Sequence, residues 1–207
     1  MSELKTIILD NLSRINREGI DKLIHYLENQ SDYFTAPAST RFHGNYTGGL
    51  AEHSHNVVTL LLEKNERYQL GLSEESIFIA GYCHDLCKVG VYKQAIRCRK
   101  NKLDKWEGYR TYEYDDELPL GHGEKSVIRL QQFIKKLTVE EIMMIRWHMG
   151  PYVSQDDRQT LHKAMEQYKC VTAIYAADLE ASQMLEVKVE EEICSMDEYN
   201  QYKNQVK

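Results

Sequence analysis

Apolar residues recur at i, i+3, i+4 and i+7 along most of this chain, the period of helices that turn one face inward. Residues 2–16 and 19–30 read as two amphipathic helices, the second carrying Ile20, Leu23, Ile24 and Leu27 on one side, before a loop at Ala36-Pro37-Ala38. A third stripe runs from Leu50 to about Tyr68 through His53, Val57, Leu60 and Leu61, leaving His55 on the other side. Ser73 has the character of an N-cap, with Glu74 and Glu75 in the first turn where the helix dipole favours them, and Ile77, Ala80, Gly81 and His84 follow on one face. Thr138 with Glu141 three residues on has the form of a capping box. The helix it opens puts Met144, Ile145 and His148 on one side and ends at Gly150-Pro151. A long helix from about Arg158 to Ser182 has Leu161, Met165, Val171 and Tyr175 in its stripe, which Asp178 continues. The pattern predicts an all-α bundle in a single domain, with N-terminal helices in residues 1–40, a core over 41–182 and a polar segment over 183–207.

Residues 91–118 interrupt that period. Lys93, Arg97, Arg99, Lys100, Lys102, Lys105 and Arg110 come early in the stretch, and Glu113, Asp115, Asp116 and Glu117 come late. From Trp106 to Tyr114 aromatic and polar residues alternate around Gly108, which predicts a short hairpin inserted in the bundle. Its basic half, Arg97 and Arg99 above all, suits phosphates or a short nucleic-acid strand, with Trp106 and Tyr109 available to stack on bases.

The candidate chemistry lies on the inward faces. His84-Asp85 sits among Ile77, Phe78, Ile79, Ala80 and Leu86, where an ionisable pair is costly to desolvate unless a cation compensates. His53, His148 and Asp178 fall on inward stripes of their own helices. His122, in Pro119-Leu120-Gly121-His122-Gly123, has no periodicity to place it and joins the set by company. Any one inward histidine is an ordinary hydrogen-bonded core residue, but four histidines and two aspartates from at least five segments are a costly way to build a core. They read as a divalent metal site. Nothing in the chain has the form of a nucleophile elbow, a phosphate-cradling loop or a dinucleotide fingerprint.

The order His53, His84-Asp85, His122, His148, Asp178 resembles the HD superfamily of metal-dependent phosphohydrolases, in the subset with a second metal. Gly48-Gly49-Leu50-Ala51-Glu52-His53 looks like the entry to the first ligand helix in bacterial HD domains related to a 3′-to-5′ exoribonuclease, and His84-Asp85-Leu86-Cys87-Lys88 follows the HD-x-x-K form. The likeness spans about Arg41 to Ser182. It implies an HD-domain helical bundle with one metal held by His53, His84, Asp85 and Asp178, and a second by Asp85, His122 and His148. Asp85 is then the bridging catalytic carboxylate and Lys88 the group that meets a phosphate, with His43 overhanging the site from the preceding loop. Two ions drawn from Mn, Fe, Co or Ni, with Mg as a further option, are the implied cofactors, and a nucleotide or other small phosphoester is the implied substrate. The exoribonucleases carry an additional oligonucleotide-binding domain for which the residues before 41 leave no room, so the likeness carries the chemistry further than the substrate. The same ligand order is similar to HD-fold di-iron oxygenases such as myo-inositol oxygenase. A nucleotide-binding sensor without turnover is a third reading, disfavoured because no ligand position is missing.

Charge and cysteine content narrow the partners. The net charge of −6 over 207 residues disfavours a dedicated binder of long nucleic acid and suits a nucleotide or short oligonucleotide. Five cysteines without a C-x-x-C pair read as reduced thiols, Cys83 and Cys87 as small core residues beside the His-Asp pair. No secretory leader and no long apolar run is evident, which predicts a cytoplasmic protein without membrane insertion.

Overall fold

The computed structural model describes residues 2–206. Nine α-helices and a three-stranded antiparallel sheet are found among them, in the order α1 (Ser2–Ser13), α2 (Ile20–Asn29), α3 (Gly49–Tyr68), α4 (Glu74–Cys83), β1 (Tyr92–Lys100), β2 (Trp106–Tyr114), α5 (His122–Gln131), α6 (Val139–Trp147), α7 (Arg158–Gln167), α8 (Lys169–Glu180), β3 (Ile193–Cys194) and α9 (Met196–Gln205). The all-α expectation is therefore corrected to a mixed fold. The hairpin is a full sheet element, with nine residue pairs from Tyr92↔Tyr114 to Lys100↔Trp106. The third strand comes from the tail, pairing Gly108↔Cys194 and Tyr109↔Ile193. Two residues following Glu190-Glu191-Glu192 show no alternation, so only backbone pairing across 84 positions reveals a strand there.

The charge segregation of the insertion resolves into strand pairing. Basic β1 lies beside the acidic end of β2, with Arg97 donating to Glu113 at 2.9 Å, Arg99 to Glu107 at 3.1 Å and Lys93 paired with Asp115. Such exposed pairs add little stability each but disfavour a slipped register. The turn is closed by Asn101, whose Oδ1 accepts from the amides of Leu103 and Lys105.

The helical part packs around α3, which lies against α4 and α8, while α6 bridges α4, α5 and α8. Ser73 caps α4 by accepting from the Ser76 amide, and the Thr138–Glu141 capping box forms as the sequence implies. Glu141 does more than cap: fully buried, it accepts from both Arg17 guanidinium nitrogens at 2.8 Å and from Ser76 Oγ at 2.7 Å, tying the α1–α2 loop to α4 and α6. The long helix expected over 158–182 is broken at Tyr168, where an extended backbone (φ −125°, ψ 94°) separates α7 from α8. After α8 the backbone widens into a π-helical turn over Ala181–Leu185. No helix among the described residues is long and apolar enough to cross a membrane.

Candidate metal centre

Each candidate ligand is aimed by the end or the packing of its helix. His84 and His148 are the C-caps of α4 and α6, where the last carbonyls have lost their helical partners. Each imidazole uses its own helix end: His84 Nδ1 donates to Gly81 O and His148 Nδ1 to Ile145 O, both at 2.8 Å. These bonds put the proton on Nδ1 and leave the Nε2 lone pairs pointing inward. His53 lies in the second turn of α3 and is fully buried, while His122 begins α5. Gly123 brings α5 onto α6: a Cβ there would lie 2.2 Å from Arg146 O, so a larger residue would hold His122 away from His148.

Four histidines converge on Asp85, and Asp178 joins them through His53. Asp85 Oδ1 lies 2.8 Å from His122 Nε2 and 3.5 Å from His148 Nε2. Its Oδ2 lies 3.5 Å from the Nε2 atoms of both His53 and His84, and 2.7 Å from Lys88 Nζ. Asp178 Oδ1 is 3.0 Å from His53 Nε2. The carboxylate thus divides the histidines into two groups, one on each oxygen.

The donor set fits divalent ions. His53 Nε2 and His84 Nε2 approach to 3.2 Å, and the fully buried His148 Nε2 has no hydrogen-bond partner among the described residues. Neighbouring ligands at about 2.1 Å from an octahedrally coordinated ion lie on the order of 3 Å apart, and His53 Nε2 lies 3.2 Å from His84 Nε2 and 3.0 Å from Asp178 Oδ1. His53, His84 and Asp85 form one close donor group, Asp85, Cys87 and His122 a second, and His43, His53 and Glu186 a third at the edge of the centre.

The ionisable groups of the centre shift one another strongly. Burial works against a cationic His53, but hydrogen bonds from its two nitrogens to Asp178 and Glu186 outweigh this and raise it to about 10. Burial likewise opposes ionisation of Asp85, yet Lys88 and the surrounding imidazoles hold it well below the usual carboxylate range. Lys88 is raised in return: burial lowers it and Asp85 more than offsets that. Lys88 reaches Asp85 from a single 3-10 turn over Leu86–Lys88 and not from a continuing helix.

Other residues singled out in the sequence are placed as follows. His43 lies at the site's edge, its ring centroid 4.9 Å from that of His53 and its Nδ1 2.5 Å from Glu186 Oε2. Arg97 and Arg99 are on the hairpin, engaged by Glu113 and by Glu107 and Glu191, and no contact brings them to the six ligands. Trp106 is exposed and Tyr109 packs under the Arg99 guanidinium at 4.7 Å. Cys83 is a core thiol pushed up to about 12, chiefly by burial. Cys87 is buried too, but its Sγ is 3.3 and 3.4 Å from the two nitrogens of His122, so it belongs to the centre's wall. Glu186 escaped the sequence reading altogether. It lies in a polar tail without periodicity, and only the path of the chain after α8 brings it to His53.

Compared with known proteins, the chain matches no family model, no curated protein and no solved structure. The functional reading accordingly rests on the residues of the centre: a helical fold that buries a cluster of histidines and aspartates able to hold metal.

Proposed function

We propose that this protein is a metal-dependent phosphohydrolase of the HD superfamily that cleaves a phosphoester of a nucleotide or short oligonucleotide. The observation that carries the reading is the division of Asp85 between two histidine groups, His122 and His148 on one oxygen and His53 and His84 on the other. One ion would be held by His53, His84, Asp85 and Asp178 and a second by Asp85, His122 and His148. Divalent ions such as Mn, Fe, Co, Ni or Mg supply Lewis acidity toward phosphoryl oxygens and lower the pKa of water at such centres.

The chain's own residues account for binding and orientation. Lys88 is a cation at all physiological pH, fixed at 2.7 Å from Asp85 Oδ2, and is the nearest positive group for a phosphate oxygen. His43 borders the same place. Arg97 and Arg99 pair with glutamates out on the hairpin, whereas Lys88 pairs with Asp85 inside the centre, and it is this position that assigns phosphate recognition to Lys88. The local likeness of Gly48-Gly49-Leu50-Ala51-Glu52-His53 to HD-domain phosphohydrolases is what favours phosphoester chemistry over an HD-fold di-iron oxygenase, whose ligand types would be the same.

The test is release of phosphate or nucleotide from a panel of nucleotides and short oligonucleotides with manganese present, wild type against Asp85→Ala. Release that falls to background in the variant is the expected result. A protein that purifies with two irons and releases nothing from any member of the panel would replace this reading by the oxygenase.

A further inference from the structure

The three buried ligand histidines on helices do not solve the same problem in the same way. His84 and His148 cap helices, so a free carbonyl three residues back orients each ring locally. His53 has no such carbonyl: it lies inside α3, where Leu50 O is taken by Ser54 Oγ as well as by the helical ladder. Its Nδ1 must find a partner elsewhere in the chain. That partner is Glu186, with Oε1 2.9 Å from His53 Nδ1, Oε2 on His43 Nδ1, and a side chain only 1% exposed.

The backbone is built to deliver this carboxylate. The π-helical turn after α8 ends with Glu186 N–H donating to Ala181 O at 3.1 Å, which turns the chain back over the centre. The segment is then strapped to the loop that precedes α3. Gly44 N–H donates to Val187 O at 3.1 Å, and Asn45 exchanges two 2.7 Å bonds with the main chain of Val189. Asn56 Nδ2 adds a bond to Glu186 Oε1 at 3.3 Å. Asp178 and Glu186, eight residues apart, therefore hold the two nitrogens of one imidazole.

From this geometry we infer that Glu186 is a positioning residue for metal capture, fixing the His53 ring with Nε2 toward the ion held by His53, His84, Asp85 and Asp178. This rests on the metal-site reading above. A ligand histidine whose other nitrogen donates to a carboxylate is locked in tautomer and orientation and gains basicity, and loss of such a partner weakens affinity about 10- to 100-fold. The effect is confined to one of the two ions, because among the described residues the side chain of Glu186 bonds His43, His53 and Asn56 and neither His122 nor His148.

The experiment is a titration of the full chain with Mn(II) or Co(II), by calorimetry and by metal analysis after dialysis, for wild type, Glu186→Gln and Glu186→Ala, with melting temperature followed in parallel. The expected result is two ions per wild-type chain and, in both variants, one ion weakened about 10- to 100-fold with the other unchanged, Gln being the milder. Two ions bound as in wild type would overturn the positioning role and leave the metal reading standing. Equal weakening of both ions with a lowered melting temperature would overturn it in favour of a general structural role. Absence of metal from wild type itself would overturn both readings.

Discussion

A charged side chain in an apolar interior needs compensation, and the buried groups of this protein show which residues supply it. His84 and His148 are legible from their positions because helical phase turns them inward, and Asp85 follows from its place beside His84 in an apolar stretch. The phosphate-binding role proposed for Lys88 draws on its place in the HD-x-x-K pattern, since the residues after His84-Asp85 form a 3-10 turn and not a continuing helix. The proposed role can be separated from metal binding by experiment. Lys88→Ala should retain wild-type metal content by elemental analysis while kcat/KM for the cleaved phosphoester falls about 10²- to 10³-fold, the effect of losing one preorganised electrostatic contact. Loss of metal in that variant would make Lys88 a structural counter-ion of Asp85 instead. Glu186 marks the opposite case, a residue with no local signal, because what it partners lies 133 positions earlier.

Among the elements, the helix signals in the sequence were local and were met locally. The Ser73 cap and the Thr138–Glu141 box depend only on residues within three positions of each other, so they survive whatever packs around them. What the box could not announce is that its glutamate is also buried beneath Arg17. Arg17→Met should remove that compensation and leave Glu141 charged or protonated in the core, lowering unfolding free energy by about 3 kcal/mol in guanidinium titrations. A change under about 0.5 kcal/mol would show that Ser76 and the Thr138 amide suffice. The break at Tyr168 was hidden for a related reason: a one-residue extended backbone shifts the helical phase without any glycine or proline to mark it.

For the molecule as a whole, the insertion is the feature that sequence pattern underestimated. It joins the helical body through Lys125, a lysine only 1% exposed on α5, which pairs with Asp116 just beyond β2. The Lys125 bond lowers Asp116 to about 2, against an ordinary 3.8, with further bonds from Leu118 N–H and Tyr114 OH. A folded-state pKa below the unfolded one gives stability that is present above about pH 4 and lost as pH falls toward 2. Asp116→Asn should therefore be less stable than wild type at pH 5, with the difference in denaturation midpoint shrinking toward pH 2.5. A difference that stays constant between those pH values would mean the pair contributes no linked stability.

The sequence by itself determined the helices with their caps, the existence of the hairpin and the inward faces on which His53, His84, His148 and Asp178 lie. All of these follow from periods of a few residues and from short-range bonding. Only the tertiary structure decided that the tail adds a third strand, that the two oxygens of Asp85 separate two pairs of histidines, and that Glu186 reaches His53. Those are distances between segments far apart in the chain, set by how α3, α4, α6 and α8 pack and by a π-helical turn at the end of α8. No local period encodes such a distance, because it belongs to the packing of several elements at once.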